Sequence, residues 1–169
     1  MIAHRVVIYG NAGSGKTTMA REVAREFDLP HLCLDHIAWA ASGIRKPLRE
    51  SLVELEAFIA ANPGWVIEGC YGDLLEAALP HCSELRFLNP GVEACVANCR
   101  KRPWEPSYCA SPEEQQRLLE PRIAFVREYE TRQDEYSFLR HRAIFEAFAG
   151  VKREFSTAIE FTTNSTIPS

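Results

Sequence analysis

The stretch "IYGNAGSGKTT", Ile8 to Thr18, brings glycines, a lysine and two threonines together directly after an apolar run. Gly10-x4-Gly15-Lys16-Thr17 is the spacing at which backbone N–H groups face the phosphates of a nucleotide, because glycines permit positive backbone angles and close approach of the chain. Gly10, Asn11, Ala12, Gly13, Ser14 and Gly15 would form the cradle. Lys16 would reach the terminal phosphates as a compact cation, Thr17 would place its hydroxyl on Mg²⁺, and Thr18 would lie near the first phosphates at a helix N-terminus. ATP and Mg²⁺ are the ligands this pattern implies. The competing reading is a glycine-rich turn that merely joins strand to helix.

Such a loop works only between a strand and a helix, and the flanking sequence supplies both. Apolar, β-branched runs recur at "RVVIY" (5–9), "HLCLD" (31–35), "WVIEG" (65–69) and "ELRFL" (84–88), separated by helical periodicity. This alternation predicts an α/β fold, a central and mostly parallel sheet with helical crossovers. Met19, Ala20, Val23, Ala24 and Phe27 share one face of a first helix that begins in the loop and stops at Leu29-Pro30. A second helix is expected from about Pro47 to Ala61, closed by "NPG" at 62–64. Val92, Cys95, Val96 and Cys99 fall at helical spacing and put both cysteines on a buried face, away from any metal role.

Beyond that helix, "RKRPWEPSYCASPEE" interrupts regular structure until Ser111-Pro112-Glu113-Glu114 supplies a cap, a proline at the first helical position and a capping-box glutamate. Pro121 is expected to kink or break the new helix. "RQDEYS" (132–137) would separate it from a final helix ending at Gly150, and a short strand near "KREFS" would close the sheet. Residues 161–169 read as a loose tail.

The whole chain bounds the possibilities. At 169 residues it suits one domain, 1–169. A net charge of −4 offers no general attraction to nucleic acid or to an anionic membrane. No apolar stretch near the N-terminus is long enough for a signal peptide or a spanning helix, so a cytoplasmic protein is expected. Six cysteines without a CxxC pair read as reduced thiols.

The loop at 10–18, the chain length and the strand spacing resemble the small P-loop kinases of the adenylate-kinase and shikimate-kinase type. "LDHIAW" (34–39), "WVIEGCYGD" (65–73) and "CRKRPWEPSY" (99–108) look closer still to bacterial P-loop proteins of the shikimate-kinase-like or DNA-topology-modulation (FlaR-related) kind. The resemblance spans most of the chain and implies a P-loop NTPase three-layer α/β/α fold with a small helical lid, here about 100–137. It also implies that Asp35 binds an acceptor or helps to hold Mg²⁺, a helix N-cap being the alternative. Glu68 would orient metal-bound water, against the alternative of a solvated carboxylate at a strand end. The family's glycine, phenylalanine, proline, arginine signature and its glycine triplet are both replaced here by "EGCYGD".

Open α/β sheets bind ligands beyond the carboxyl ends of their strands, so the loop, Asp35 and Glu68 should converge on one crevice. Tyr71 and Trp39 follow two of those strand ends and either face a planar acceptor or simply pack. Phosphoryl transfer needs cations over the transferring group, for which Arg100, Lys101, Arg102, Arg122, Arg127 and Arg132 are candidates. Arg102 and Arg132 stand first, with Arg140 and Arg142 in reserve, and His141 reads as packed or surface. The leading expectation is a kinase moving the terminal phosphate of ATP to a small-molecule acceptor, as monomer or homodimer. A nucleotide-dependent regulatory protein or ATPase is the alternative. A guanine-nucleotide switch lacks both its Asn-Lys-x-Asp and Asp-x-x-Gly motifs.

Overall fold

The computed structural model describes residues 4–41, 43–106 and 109–157. Five strands form one sheet: β1 (Arg5–Gly10), β2 (His31–Cys33), β3 (Trp65–Gly69), β4 (Glu84–Leu88) and β5 (Val151–Phe155). Their spatial order is β2-β3-β1-β4-β5 and every pairing is parallel, so the expected α/β architecture is present, with no antiparallel strand in the sheet among the described residues. The loop strand β1 is central. Its alternate residues feed two cores: Val6 and Ile8 join Met19, Ala20 and Val23 of α1 (Lys16–Glu26) on one face. Val7 and Tyr9 pack on the other with Leu55 of α3 (Leu48–Ala61), Leu74 and Leu75 of α4 (Gly72–Ala78), and Ile144 of α8 (Phe138–Ala147). This is a three-layer α/β/α arrangement, built because a period of two splits each strand between two helical layers.

A third cluster joins α5 (Val92–Lys101) to α7 (Leu119–Arg127), with Cys95, Val96, Cys99, Ile123 and Val126 buried and Ala12 of the loop packed against them. Both cysteines therefore lie on the apolar face, as their spacing required. Ser111 caps α6 (Pro112–Arg117) by accepting from Glu114 N at 3.1 Å, while the Glu114 carboxylate reaches Ala110 N at 2.7 Å, one residue beyond the usual box partner. Pro121 sits in the first turn of α7, and the α6–α7 break falls at Leu118, just past the carbonyl of Arg117 with which its ring would collide in a continuous helix.

Three sequence expectations need correction. The second strand stops at Cys33, not Asp35, because Leu34 already turns into the four-residue α2 (Asp35–Ala38). The last helix ends at Ala147 rather than Gly150; the Phe148 ring folds over Gly150, where a Cβ would stand only 2.7 Å from it. Helices α2 and α4 were not anticipated, since neither is long enough to display a periodicity. The proposed tail at 161–169 lies outside the described residues.

Candidate functional site

The loop between β1 and α1 is held open by its own side chain. Asn11 Oδ1 accepts from Ala12 N at 2.8 Å, its Nδ2 donates to Val126 O at 3.0 Å, and its carbonyl accepts from Ser14 N at 3.2 Å and from Lys16 Nζ at 2.7 Å. Gly13 has φ 78°, and a Cβ there would meet Cys95 O at 2.5 Å and the Cys99 thiol at 2.8 Å. Only glycine fits. The first intrahelical bond of α1 runs from Met19 N to Gly15 O, so the N–H groups of Lys16, Thr17 and Thr18 project from the helix start without intrahelical partners. Ser14 Oγ is buried in the same loop and has no protein partner.

Glu68 meets this helix start from β3. It is 2% exposed, and Thr17 Oγ1 donates to its Oε1 at 2.9 Å. The alternative of a solvated carboxylate is thereby overturned. Burial pushes the Glu68 carboxyl up, but the facing His31 ring, the Lys16 charge, the Cys33 thiol and the Thr17 hydroxyl together outweigh it and hold the group below its ordinary range. His31 Nε2 stands 3.8 Å from Oε1. Both β2 residues reach Glu68 because Cys33 is its register partner across the parallel pair.

Asp35 is the first residue of α2 and makes no capping bond, so its N-cap reading fails. Its Oδ1 accepts from Tyr71 OH at 2.5 Å, and that hydroxyl accepts from Trp39 Nε1 at 2.6 Å. Burial first, then the neighbouring Cys70 and Asp35, raise the Tyr71 phenol well above its usual range, so it stays a donor. Tyr71 is thus packed and chemically engaged at once, whereas Trp39 is 41% exposed. Arg45, which the sequence reading passed over, lies 4.8 Å above the Tyr71 ring and pairs with Asp73 at 3.2 Å. Tyr136 closes the wall with an edge contact to Tyr71 at 5.3 Å.

The two favoured arginines part company. Arg132 stacks 3.8 Å above Phe125, is paired at 3.3 Å with both Glu128 and Asp134, and keeps Nη1 buried without a hydrogen-bond partner. Arg102 bonds Glu105 at 2.9 Å, which also takes Arg21, and lines a cavity of about 190 Å³ with Cys99, Trp104 and Leu119. Cys70 reports which groups converge. Burial pushes its thiol up to about 12, and the charges it senses are those of Lys16, Asp35, Glu68 and Arg132. Arg102 acts on Cys99, which packs behind Gly13 of the loop and also senses Arg122 and Lys16. Arg100 and Lys101 are exposed, and Arg127 pairs with Glu93 at 2.5 Å. Arg140 is engaged by Glu76 and Glu135, and Arg142 by Glu154. No period or motif marks Arg45, His31 or Cys33; the i, i+2 spacing of the last two announces a shared face but not the strand it faces.

No family model and no curated protein matches the chain. Among solved structures it is similar to an unliganded sugar kinase from a Janibacter species, at 19% identity over 90% of this chain and 85% of that one, with a TM-score of 0.49. It is similar to a gluconokinase from Sinorhizobium meliloti at 17% identity over 97% and 89%, with a TM-score of 0.49. For a shikimate kinase from Acinetobacter baumannii in complex with shikimate the values are 20%, 84%, 91% and 0.45. The chain is similar to these three kinases; its α/β/α fold is carried by its own sheet order and phosphate loop.

Proposed function

We propose that the chain is a small-molecule kinase, which moves the terminal phosphate of ATP to an acceptor held beyond the carboxyl ends of β2 and β3. The observation that carries this reading is the contact of Thr17 with the buried Glu68 carboxylate beside Lys16, at 2.9 Å. A hydroxyl and an ionised carboxylate at a helix start are hard oxygen donors, the kind that Mg²⁺ takes together with waters and phosphate oxygens. The residues present therefore fit Mg²⁺, with Thr17 as a direct ligand and Glu68, joined by Asp35, acting through water. Bound there, Mg²⁺ neutralises charge on the terminal phosphates.

The chain's own residues do the rest. The N–H groups of Gly13, Gly15, Lys16, Thr17 and Thr18 hold phosphate oxygens, and Lys16 exchanges the Asn11 carbonyl for them. Asp35, steadied by Tyr71, accepts a hydrogen bond from the group to be phosphorylated and turns it toward the loop. Arg132, already desolvated against Phe125, supplies cationic charge over the transferring group, with Arg102 as a second cation. The fold by itself names no acceptor for this chain.

Terminally labelled ATP with Mg²⁺ should label one compound in a panel of nucleosides, nucleoside monophosphates, sugars, hydroxy acids and extract metabolites. Lys16→Ala should label none. Free phosphate as the sole product from native protein would overturn the reading in favour of an ATPase or a nucleotide-dependent regulator.

A further inference from the structure

Between α7 and α8 the chain crosses the site, and its contacts touch both halves of it. At one end Val126 O receives Asn11 Nδ2 of the phosphate loop at 3.0 Å. At the other, Gly72 N, at the start of α4, donates to Glu135 O at 2.9 Å. Between them lies a buried polar chain the proposed reaction does not use. His141 is fully buried and Tyr129 3% exposed. Tyr129 OH lies 2.7 Å from His141 Nδ1, and His141 Nε2 lies 2.9 Å from Cys70 O. A carbonyl can only accept, so Nε2 carries the proton, and the neutral ring then requires Tyr129 to donate to Nδ1. Tyr9 OH, one residue before the loop, donates to His141 O at 3.1 Å. Cys70 is two residues past Glu68 and adjoins Tyr71, so the imidazole grips the turn that carries one group of each half-site.

We propose that Tyr129 and His141 are positioning residues: the tyrosine hydroxyl, donating to Nδ1, holds the ring in place, and the imidazole, donating from Nε2, fixes the Cys70 carbonyl, holding Glu68 and Tyr71 at their distance from the phosphate loop. This rests on the kinase reading for its catalytic meaning but not for its geometry. Without the Tyr129 hydroxyl, Nδ1 is a buried acceptor with no donor, and the ring is free to turn its Nε2–H off the Cys70 oxygen. The turn would relax away from Thr17.

Tyr129→Phe removes one oxygen and is the decisive variant, with His141→Leu and His141→Gln beside it. Affinity for ATP is measured with Mg²⁺ and with a chelator. Tyr129→Phe and His141→Leu should lose about tenfold in the gain that Mg²⁺ confers, as loss of a supporting hydrogen bond behind a ligand does. Metal-free affinity should hold, and His141→Gln, which keeps a donor near the Nε2 position, should behave as native. Equal loss with and without Mg²⁺, or no loss, overturns the proposal. Native protein that binds no ATP overturns the kinase reading instead. The amide spectrum then decides the geometry: Tyr129→Phe should move Gly69 to Gly72 and Thr17, and shifts confined to Tyr129, His141 and their chain neighbours would overturn it.

Discussion

In the proposed reading, the nucleotide half of the site and the acceptor half are built by different means. The first is a contiguous loop whose working groups are largely backbone N–H, completed by Lys16, Thr17 and a single strand residue, Glu68. The second is a wall of side chains, Asp35, Trp39, Arg45, Tyr71, Arg132 and Tyr136, gathered from separate segments and locked by hydrogen bonds and ring contacts. Backbone geometry suits a ligand that never changes, and a side-chain wall can be rebuilt residue by residue for another. Substitutions in the two halves should therefore fail differently, the first losing nucleotide outright and the second losing acceptor while nucleotide still binds.

Lys16→Ala should break the first half most severely. The ammonium is 9% exposed, and its hydrogen bond to the Asn11 carbonyl is one it can exchange for phosphate. Phosphate transfer should fall by about a thousandfold, in line with loss of a preorganised charge, while the circular-dichroism melt stays cooperative. A variant that still binds Mg·ATP at native affinity would remove Lys16 from the site.

Acid should separate the two halves next, at an effect on the order of 3 kcal/mol. Burial, aided by Lys16 and Arg140 and opposed by the Cys70 carbonyl, lowers His141 from 6.5 to about 4. The unfolded chain takes up this proton as pH falls through 6.5 and the folded chain does not until about 4. Stability from this group is thus complete above 6.5 and lost between those values. The depressed carboxylate of Glu68 gives way only further down, as pH falls below 4.5 toward its lower folded value. Chemical denaturation across pH should show native protein weakening from 6.5, with His141→Gln flattened in that window alone. A His141→Gln curve parallel to native would remove His141 as the cause. Glu68→Gln, measured at neutral pH, should cost about a hundredfold in Mg-dependent transfer.

The same contrast explains what the sequence made legible. Loop, central strand and first helix were readable because a short spacing pattern and two periodicities coincide on neighbouring residues. The unbroken apolar run Val6-Val7-Ile8-Tyr9 announces that β1 is covered on both faces. Glu68 could be nominated, but its burial beside Thr17 depends on the β1–β3 register, which pairs it with Ile8 and which nothing local encodes. Asp35 was found through the resemblance, although its strand ended two residues earlier than its apolar run suggested. Arg45 reaches Tyr71 only because residues 39 and 45 pair in a small antiparallel bridge. His141 reads from sequence as packed or surface, and the positioning role proposed for it rests on a carbonyl 71 residues away.

Tyr71→Phe tests the acceptor wall with the smallest chemical change. It deletes the hydroxyl that donates to Asp35 and accepts from Trp39, leaving the ring under Arg45 and against Tyr136. Acceptor KM should rise about tenfold, the weight of one to two hydrogen bonds, while ATP affinity stays native. An equal fall in ATP affinity would mean that the halves are not separable at this turn.

The smallest effect should come from Arg102. Its bond to Glu105 is a half-exposed pair, and such pairs contribute about 0–1 kcal/mol. The Glu105 carboxyl is drawn down by Arg102 first and by Arg21 second, so deleting Arg102 leaves a partner in place. Arg132 is the opposite case, with a buried, unsatisfied Nη1 and a charge sensed at Cys70 in the crevice. Arg102→Ala should lower transfer by no more than about threefold, and Arg132→Ala by about a hundredfold. Arg132→Lys should recover only part of that loss, because an ammonium cannot stack on Phe125 as the planar guanidinium does. Reversal of the order, Arg102 costing more than Arg132, would mean that the 102–106 segment swings over the phosphates during turnover and that the side-chain wall extends into the nucleotide half.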